Sequence, residues 1–571
     1  MSKARTFPVK TGVVREKRKN GDIYVFERQT LYDPEKRYCK VLSKKLIGKI
    51  VKGTEEMVPT RPKKKSDPQK RTNTKKTPIN KQRVGMINII RHVSKKSGVT
   101  KEIMDNQYLD EGIKQKLLTL VWYGLATDGE SWTGAYNWCT KYLKLLPYPH
   151  NPISEDMYHD LFLNLGKAEN VKQSIFQDRA KRMGKGELLA LDSTTLECNA
   201  KEVKSARKSI HKDKTIKKVY KLVQIYSITS KQLVAYAIVP GNIPDGSTVE
   251  NALKQLKSLE LSKAEIVADE GYASADNLSM MIGKNFDFIT HISSRSKWIQ
   301  PLIAANKSAL ELGSSFITCD PKYAGVTVKH EYEYKDGDEE KTKSLYVHIY
   351  YNSTKKAEEE VKFREKFINL KEDILTHTYL SPEDRRFKER YMIEKLDENN
   401  EVRIELNKAE YVKQSKFFGY VVLVASKENN TNTALEKYRS REEIEESFKI
   451  YKSHTGGNVA RKWSDETLEG QVLVNFLIQS LVESFGSMVR TVKDSIAKPT
   501  GDAEHDMVEN LKEEKQLKCW LRKTSLHNIL GYFDAIEIAS IRESNPVTIT
   551  TETTKRDRLF LKKLGIELNS P

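Results

Sequence analysis

The 571-residue chain carries 98 Lys+Arg against 78 Asp+Glu, a net charge of +20, and is 38% hydrophobic. That length and apolar content suffice for several domains and a sizeable core. The five cysteines (Cys39, Cys139, Cys198, Cys319 and Cys519) are scattered with no CxxC pair, which argues against a disulfide framework and against a zinc site. No apolar run approaches the ~20 residues that span a bilayer, and the basic N-terminus lacks the apolar centre of a signal peptide. The expectation is a cytoplasmic protein with no membrane partner.

The charge is unevenly placed. Met1 to Arg83 holds 25 Lys+Arg against 8 Asp+Glu, a net +17, which leaves +3 for everything downstream. Such an arm is expected to hold a polyanion through phosphate contacts and counterion release; a solubilising tail or a ribosome-binding arm has the same charge. Within it, GDIYVFERQ and RYCKVLSKKLIGKIV read as strands joined through Tyr32-Asp33-Pro34, a small hairpin module. Residues 60–83 are rich in Pro, Lys, Arg, Ser and Thr, have almost no apolar side chain, and read as a linker.

From 84 to 186 the apolar positions recur at three- and four-residue spacing, the mark of a helical domain. Trp122, Trp132 and Trp138 lie in amphipathic segments and read as core. At Glu187 the period changes. ELLALDSTT has a continuous apolar run, as expected for a strand covered on both faces, and Asp192 follows directly. VYKLVQIYSIT and QLVAYAIVPGN read as a hairpin through Ser230-Lys231. Then come the helix STVENALKQLKSL, the short strand AEIVA with Asp269 at its end, the helix SADNLSMMIGKN and the strand FDFITHIS. Residues 297–432 mix strands such as KSLYVHIYYN and FFGYVVLVAS with a long charged helix, TKKAEEEVKFREKFINLKEDIL, and read as a strand-rich insertion. Residues 433–492 return to the core, with a strongly apolar helix from Glu466 to Val492, and 493–571 read as a C-terminal helical region.

Thr433 to Lys452, TALEKYRSREEIEESFKIYK, is expected to be one helix. Thr433 and Glu436 have capping-box spacing, and Gly456-Gly457 supplies a stop. At about 100° per residue, Tyr438, Arg441, Glu445 and Lys452 fall within an arc of roughly 60°. This puts Glu445 at the border of the buried face, where a carboxylate is costly unless a cation or metal compensates it. An ordinary i,i+4 Arg441–Glu445 pair on a solvated face is the plain alternative. Likewise Asp192 in DSTT and Asp269 in DEGYAS have plain readings as turn or cap residues. Glu270 and Glu197 lie beside the two aspartates but lack the register directly after an apolar strand.

The spacing Tyr, two residues, Arg, three residues, Glu, six residues, Lys resembles the signature on the glutamate helix of one group of bacterial insertion-sequence transposases of the DDE superfamily. The resemblance is clearest over 187–296 and 433–490. It implies an α/β, ribonuclease H-like catalytic core interrupted by the insertion, in which the first and fourth strands lie side by side and make Asp192 and Asp269 neighbours. It also implies that Asp192, Asp269 and Glu445 are the catalytic set and hold two Mg²⁺, with Mn²⁺ able to substitute. Asp192 would bridge the ions, Asp269 would hold one and Glu445 the other. Arg441, Lys452 and Tyr438 would grip the DNA backbone near the cut, and Trp298 would stack on a flipped base. The partners implied are double-stranded DNA, as transposon ends and as target, and a second copy of the chain on that DNA. Two other readings stay open: a nuclease of the same fold that cleaves without joining, and a catalytically silent DNA-binding derivative.

Overall fold

The structure, a computed structural model, describes residues 8–34, 36–59, 79–210, 215–312, 315–376, 380–396, 402–460, 462–496, 507–541 and 547–567. The chain separates into two compact units, residues 1–77 and 78–571.

In the first unit, β1 (Lys10–Lys17), β2 (Ile23–Asp33), β3 (Tyr38–Ile50) and β4 (Met57–Val58) form an antiparallel sheet in the order β1-β2-β3-β4. The expected hairpin is its β2–β3 pair. Among the described residues of this unit Val25 is the one buried apolar side chain, so the sheet builds almost no core of its own. Residues 60–78 of the expected linker lie outside the described residues. Its end is corrected: β5 (Ile79–Arg83) is a strand of the second unit.

The helical domain follows as α1 (Gly85–Lys96), α2 (Val99–Met104), α3 (Glu111–Thr127), α4 (Ala135–Tyr142), α5 (Glu155–Lys167) and α6 (Glu169–Lys181). Trp122 is buried, and Trp132 and Trp138 pack against the core, as their spacing requires.

The large sheet begins with β6 (Leu188–Cys198), then β7 (Arg207–Ile210), β8 (Ile216–Ser227) and β9 (Gln232–Pro240). Next come α7 (Val249–Ser258), β10 (Glu265–Ala268), α8 (Ala275–Gly283) and β11 (Asp287–Ile292). β6 pairs in parallel with β10, and β10 in parallel with β11, while β8 runs antiparallel between β6 and β9. These five strands therefore stand in the spatial order β9-β8-β6-β10-β11.

The insertion comprises α9 (Gln300–Glu311), β12 (Ala324–Asp336), β13 (Glu339–Tyr351), α10 (Ser353–Leu375), α11 (Pro382–Tyr391), β14 (Met392–Leu396), β15 (Val402–Leu406), α12 (Lys408–Ser415) and β16 (Tyr420–Ala425). It does not stand apart from the sheet. β16 pairs antiparallel with β11 on one side and β13 on the other, and β12 closes the edge. All six residues of β16 are buried.

The glutamate segment is two helices rather than one: α13 (Thr431–Arg439) and α14 (Glu442–His454). The cap of α13 is Asn430, whose Oδ1 accepts from the Thr433 N–H at 3.0 Å, so the expected Thr433 capping box is not the start. The break falls at Ser440-Arg441, where the Ser440 hydroxyl donates back to the Lys437 carbonyl at 2.6 Å and competes with the helical pattern. Gly456, at φ +65°, ends the segment as expected.

Beyond β17 (Val459–Ala460), the capping box of Ser464 and Thr467 opens α15 (Asp465–Ser495), the spine of the second unit. By length and composition α15 could cross a membrane, yet 78% of its most apolar window is buried inside the protein. It crosses α5 at very close range. A methyl group on Gly470 would fall 1.9 Å from the Phe162 carbonyl oxygen, and one on Gly166 1.7 Å from that of Glu466, so only glycine permits the approach. The chain ends with α16 (Met507–Lys523), α17 (Leu526–Phe533), β18 (Glu537–Ile541), β19 (Val547–Thr550) and α18 (Lys555–Leu564); β5 and β19 flank β18.

A buried polar relay fastens α14 to α15 and β8. Gln224 Nε2 donates to Gln479 Oε1 at 3.0 Å, Gln479 Nε2 donates to the Ser447 hydroxyl and carbonyl at 2.7 and 2.6 Å, and the Ser447 hydroxyl donates to Glu483. Burial pushes the Glu483 carboxyl up to about 7, against the lowering effect of Ser447. The unfolded chain releases this proton near the ordinary carboxylate value and the folded chain only near 7. Stability is therefore lost as pH rises through that window. Glu483→Gln, which cannot ionise, is expected to remove up to about 3 kcal/mol of the decline between pH 5 and pH 8, read from denaturant melts of both proteins at the two pH values.

Candidate active site

Parallel pairing sets two of the three acids. In the β6–β10 ladder Ala268 lies opposite Leu191, so the next residues along, Asp269 and Asp192, leave adjacent strands side by side. Asp192 is not at the end of its strand, as the sequence suggests, but at the fifth of eleven positions in β6, because pairing with β8 carries the strand on to Cys198. Asp269 directly follows β10, where its carboxylate accepts the Glu270 N–H at 2.8 Å.

The α13–α14 segment is laid over this part of the sheet. Lys437 ties α13 to Glu265 of β10 at 2.8 Å and to Glu428 at 2.9 Å. From the break between the helices Arg441 reaches all three acids. Its Nη1 is 3.4 Å from Asp192 Oδ2, and its Nη2 is 3.8 Å from Asp269 Oδ2 and 3.0 Å from Glu445 Oε1. The Arg441 side chain is only 12% exposed, whereas the carboxylates of Asp269 and Glu445 are about half exposed and that of Asp192 is 20% exposed. Glu445 is thus open to solvent rather than at a buried border. Tyr438 donates its hydroxyl to Asp269 Oδ1 at 2.9 Å, and its ring lies 5.6 Å from the Arg441 guanidinium.

The electrostatics follow from this crowding. Burial pushes the Asp192 carboxyl up to about 6, although the Ser193 N–H and Arg441 act in the other direction. Burial also raises Asp269, but there Arg441, the Glu270 N–H and the Tyr438 hydroxyl outweigh it and hold the carboxyl below its ordinary value. For Arg441 itself burial disfavours the charge, and Asp269, Tyr438, Asp192 and Glu445 more than compensate.

Hard oxygen donors gathered around one positive charge are the donor set that Mg²⁺ or Mn²⁺ takes. Their chemistry fits such ions. The arginine lies between them, and among the described residues no three His, Cys, Asp or Glu side chains stand together closely enough to hold a metal ion.

The other expected residues are placed as follows. Lys452 is half-buried in the last turn of α14, on the same face as Glu445 and about 10 Å further along the axis. Trp298 precedes α9, half-buried, with its ring stacked on His330 at 5.1 Å and 5.2 Å from Tyr332. The two decoys are engaged elsewhere: Glu197 with Lys217 at 2.6 Å and Glu270 with His291 at 3.3 Å. His454 at the end of α14 pairs with Asp128.

Sequence reasoning missed a cluster beside Asp192. Asp245 accepts from the Ser193 hydroxyl at 2.6 Å and pairs with Lys221 at 2.7 Å. Asp245 sits in NIPDG, which reads only as a turn, and nothing in the spacing of Lys221 marks it. The direct Tyr438–Asp269 bond was likewise hidden, since helical spacing relates Tyr438 to Arg441 but not to a strand end.

Residues 183–481, just over half of the chain and inclusive of all three acids, match a family model described as the transposase DDE domain. No curated protein matches. Among solved structures the chain is similar to a piggyBac transposase synaptic complex with hairpin DNA, determined by cryo-electron microscopy. The identity is 10%, over 82% of this chain and 86% of that one, with a TM-score of 0.36, which carries no argument.

Because burial raises the Asp192 carboxyl, its ionised form destabilises the folded, metal-free protein once the pH exceeds about 6. Asp192→Asn is therefore expected to be the more stable protein at pH 8 without DNA or metal, by roughly 1–3 kcal/mol, and to lose that advantage at pH 4. Melts at the two pH values check it.

Proposed function

The chain belongs to the DDE transposase family, and on that premise we propose that it binds the terminal inverted repeats of a mobile DNA element, hydrolyses phosphodiester bonds at the ends, and joins the freed 3′-OH to target DNA. The observation that carries this reading is the convergence of Asp192, Asp269 and Glu445, from two neighbouring strands and one overlying helix, on a single cation. The strand order β9-β8-β6-β10-β11, with only β8 antiparallel to its neighbours, supports a ribonuclease H-like core, into which 297–432 is inserted.

Asp192, Asp269 and Glu445 would hold two Mg²⁺. When bound, such a pair neutralises the charge that builds on phosphorus and lines up the attacking and leaving oxygens. The protein's own part is to mount the carboxylates rigidly. The sheet ladder fixes the two aspartates, and the relay behind Ser447 fixes the helix of Glu445. Tyr438 orients Asp269 through its hydroxyl. Arg441 and Lys452 would take DNA phosphates, Arg by its fork and Lys as a point charge.

The N-terminal unit would add phosphate contacts. Arg28 lies opposite Gly12 and Lys44 across its sheet, and the Lys44 ammonium sits 4.4 Å from the Phe26 ring, a basic and aromatic face. Cutting both ends together calls for two copies of the chain on the DNA.

Incubation with DNA carrying the element's ends in Mg²⁺ is expected to give nicked and then strand-transferred products. Asp192→Asn or Glu445→Gln is expected to lower both by at least about a thousandfold while leaving DNA binding within a few-fold. Loss of binding instead of cleavage would mean the acids serve another purpose. Nicking without joining would identify a nuclease of the same fold, and no effect of either substitution a silent derivative.

Trp298 is the residue we assign to stacking on a base turned out of the terminal duplex. Such stacking is worth ~1–3 kcal/mol per base, so Trp298→Ala is expected to slow cleavage of duplex ends roughly 5- to 100-fold. Unchanged cleavage would leave the ring with only the packing against His330 and Tyr332 that it already makes.

A further inference from the structure

We propose that Arg441 is a positioning residue that stands in for the divalent charge: its guanidinium keeps Asp192, Asp269 and Glu445 assembled in the DNA-free protein and must leave them before metal can load. The proposal rests on the reading of these acids as the metal site.

Two arginines of the same chain are held in different ways. Arg179 is built to stay. Its Nε and Nη2 clasp the two oxygens of Glu102 at 3.1 and 2.9 Å, and its Nη1 donates to the Leu233 carbonyl and the Ser480 hydroxyl, each at 2.9 Å. Arg441 touches three carboxylates but commits to none in that way. Only its contact to Asp192 has hydrogen-bond geometry, and that one is long, at 3.4 Å. Glu445 at 3.0 Å and Asp269 at 3.8 Å are met as ion pairs alone, and its Nε is buried with no hydrogen-bond partner among the described residues. A guanidinium held as a fork would use that atom. Arg441 therefore acts mainly as a central charge, the role in which another cation most easily replaces it.

The charge balance points the same way. One arginine offsets only a third of the charge of three ionised carboxylates, so the cluster retains an attraction for further cations. The backbone allows the exchange without unfolding. Arg441 lies at the joint between α13 and α14, and each helix is fastened separately, α13 by Lys437 and α14 through Ser447. The side chain can swing while both helices stay in place. A phosphate of bound DNA is the anion that would draw it away, so the same movement would couple DNA engagement to metal loading and keep the DNA-free protein from arming itself.

The test is Mn²⁺ binding to the full chain without DNA, followed by electron paramagnetic resonance of the free ion. Arg441→Gln is expected to bind Mn²⁺ at least tenfold more tightly than the wild type, and the Asp192→Asn/Arg441→Gln double variant is expected to lose that gain. Arg441→Lys, which keeps the charge but not the reach, is expected to fall between. Equal or weaker binding by Arg441→Gln overturns the proposal and leaves the arginine as a brace that metal binding needs.

If Arg441→Gln shows no cooperative melt, the wild type decides. Its Mn²⁺ affinity is expected to rise at least tenfold when a short DNA duplex is added, after subtraction of binding to the duplex alone, and an unchanged affinity overturns the proposal. The underlying reading is checked separately. If Asp192→Asn does not weaken Mn²⁺ binding by the protein–DNA complex, the acids are not the metal site. If it does, while Arg441→Gln binds no tighter than the wild type, only the role given to Arg441 fails.

Discussion

Three carboxylates within reach of one guanidinium is the constraint around which the second unit is organised. Bringing like charges together is unfavourable, and partial burial of Asp192 makes it more so. The arrangement persists because a cation sits among them and because each acid is delivered by a separate rigid element. Parallel pairing of β6 with β10 leaves no freedom in the spacing of the two aspartates. Glu445 comes from a helix that would be free to slide were it not clamped from behind.

That clamp explains an otherwise costly choice. A protein interior seldom tolerates an ionisable side chain such as Glu483, yet here it receives the Ser447 hydroxyl, two residues from Glu445, and shares the site with Gln479 and Gln224. Polar contacts have directional preferences that apolar packing lacks, so the relay fixes the rotation and height of α14 against α15. The glycine crossing of α15 over α5 in turn fixes α15 to the helical domain. The acids are thus positioned through two layers of contact that lie behind them.

Much of this was legible beforehand. Continuous apolar runs identify β6 and β10 because strands covered on both faces need them, and the order of elements from Leu188 to Ile292, the short β7 excepted, follows from changes of period. The arc of Tyr438, Arg441 and Glu445 assumes one continuous helix, whereas Tyr438 stands in α13 and Glu445 in α14, so of the three only Arg441 and Glu445 keep their helical spacing. What stayed hidden depends on tertiary contact. The break at Ser440-Arg441 coincides with a side chain bonding its own backbone and with the contact of Arg441 to Asp192. The bond from Tyr438 to Asp269 links residues 169 positions apart, and the Ser193–Asp245–Lys221 cluster joins three separate segments. The membership of β16 in the large sheet was hidden too, since FFGYVVLVAS reads equally well as a strand of a detached subdomain.

That membership of β16 bears on how such a chain can decay. Its six buried residues are shielded on one side by β11 and on the other by the β12–β13 hairpin, so the stretch that looks dispensable in the sequence is the hem of the sheet. A shortened descendant lacking 312–419 would keep Asp192, Asp269, Glu445 and the basic first 83 residues yet present a raw, water-repelling selvedge to its neighbours. Such a relic would clump, so the stretch belongs to the body of the sheet and cannot be shed as an appendage.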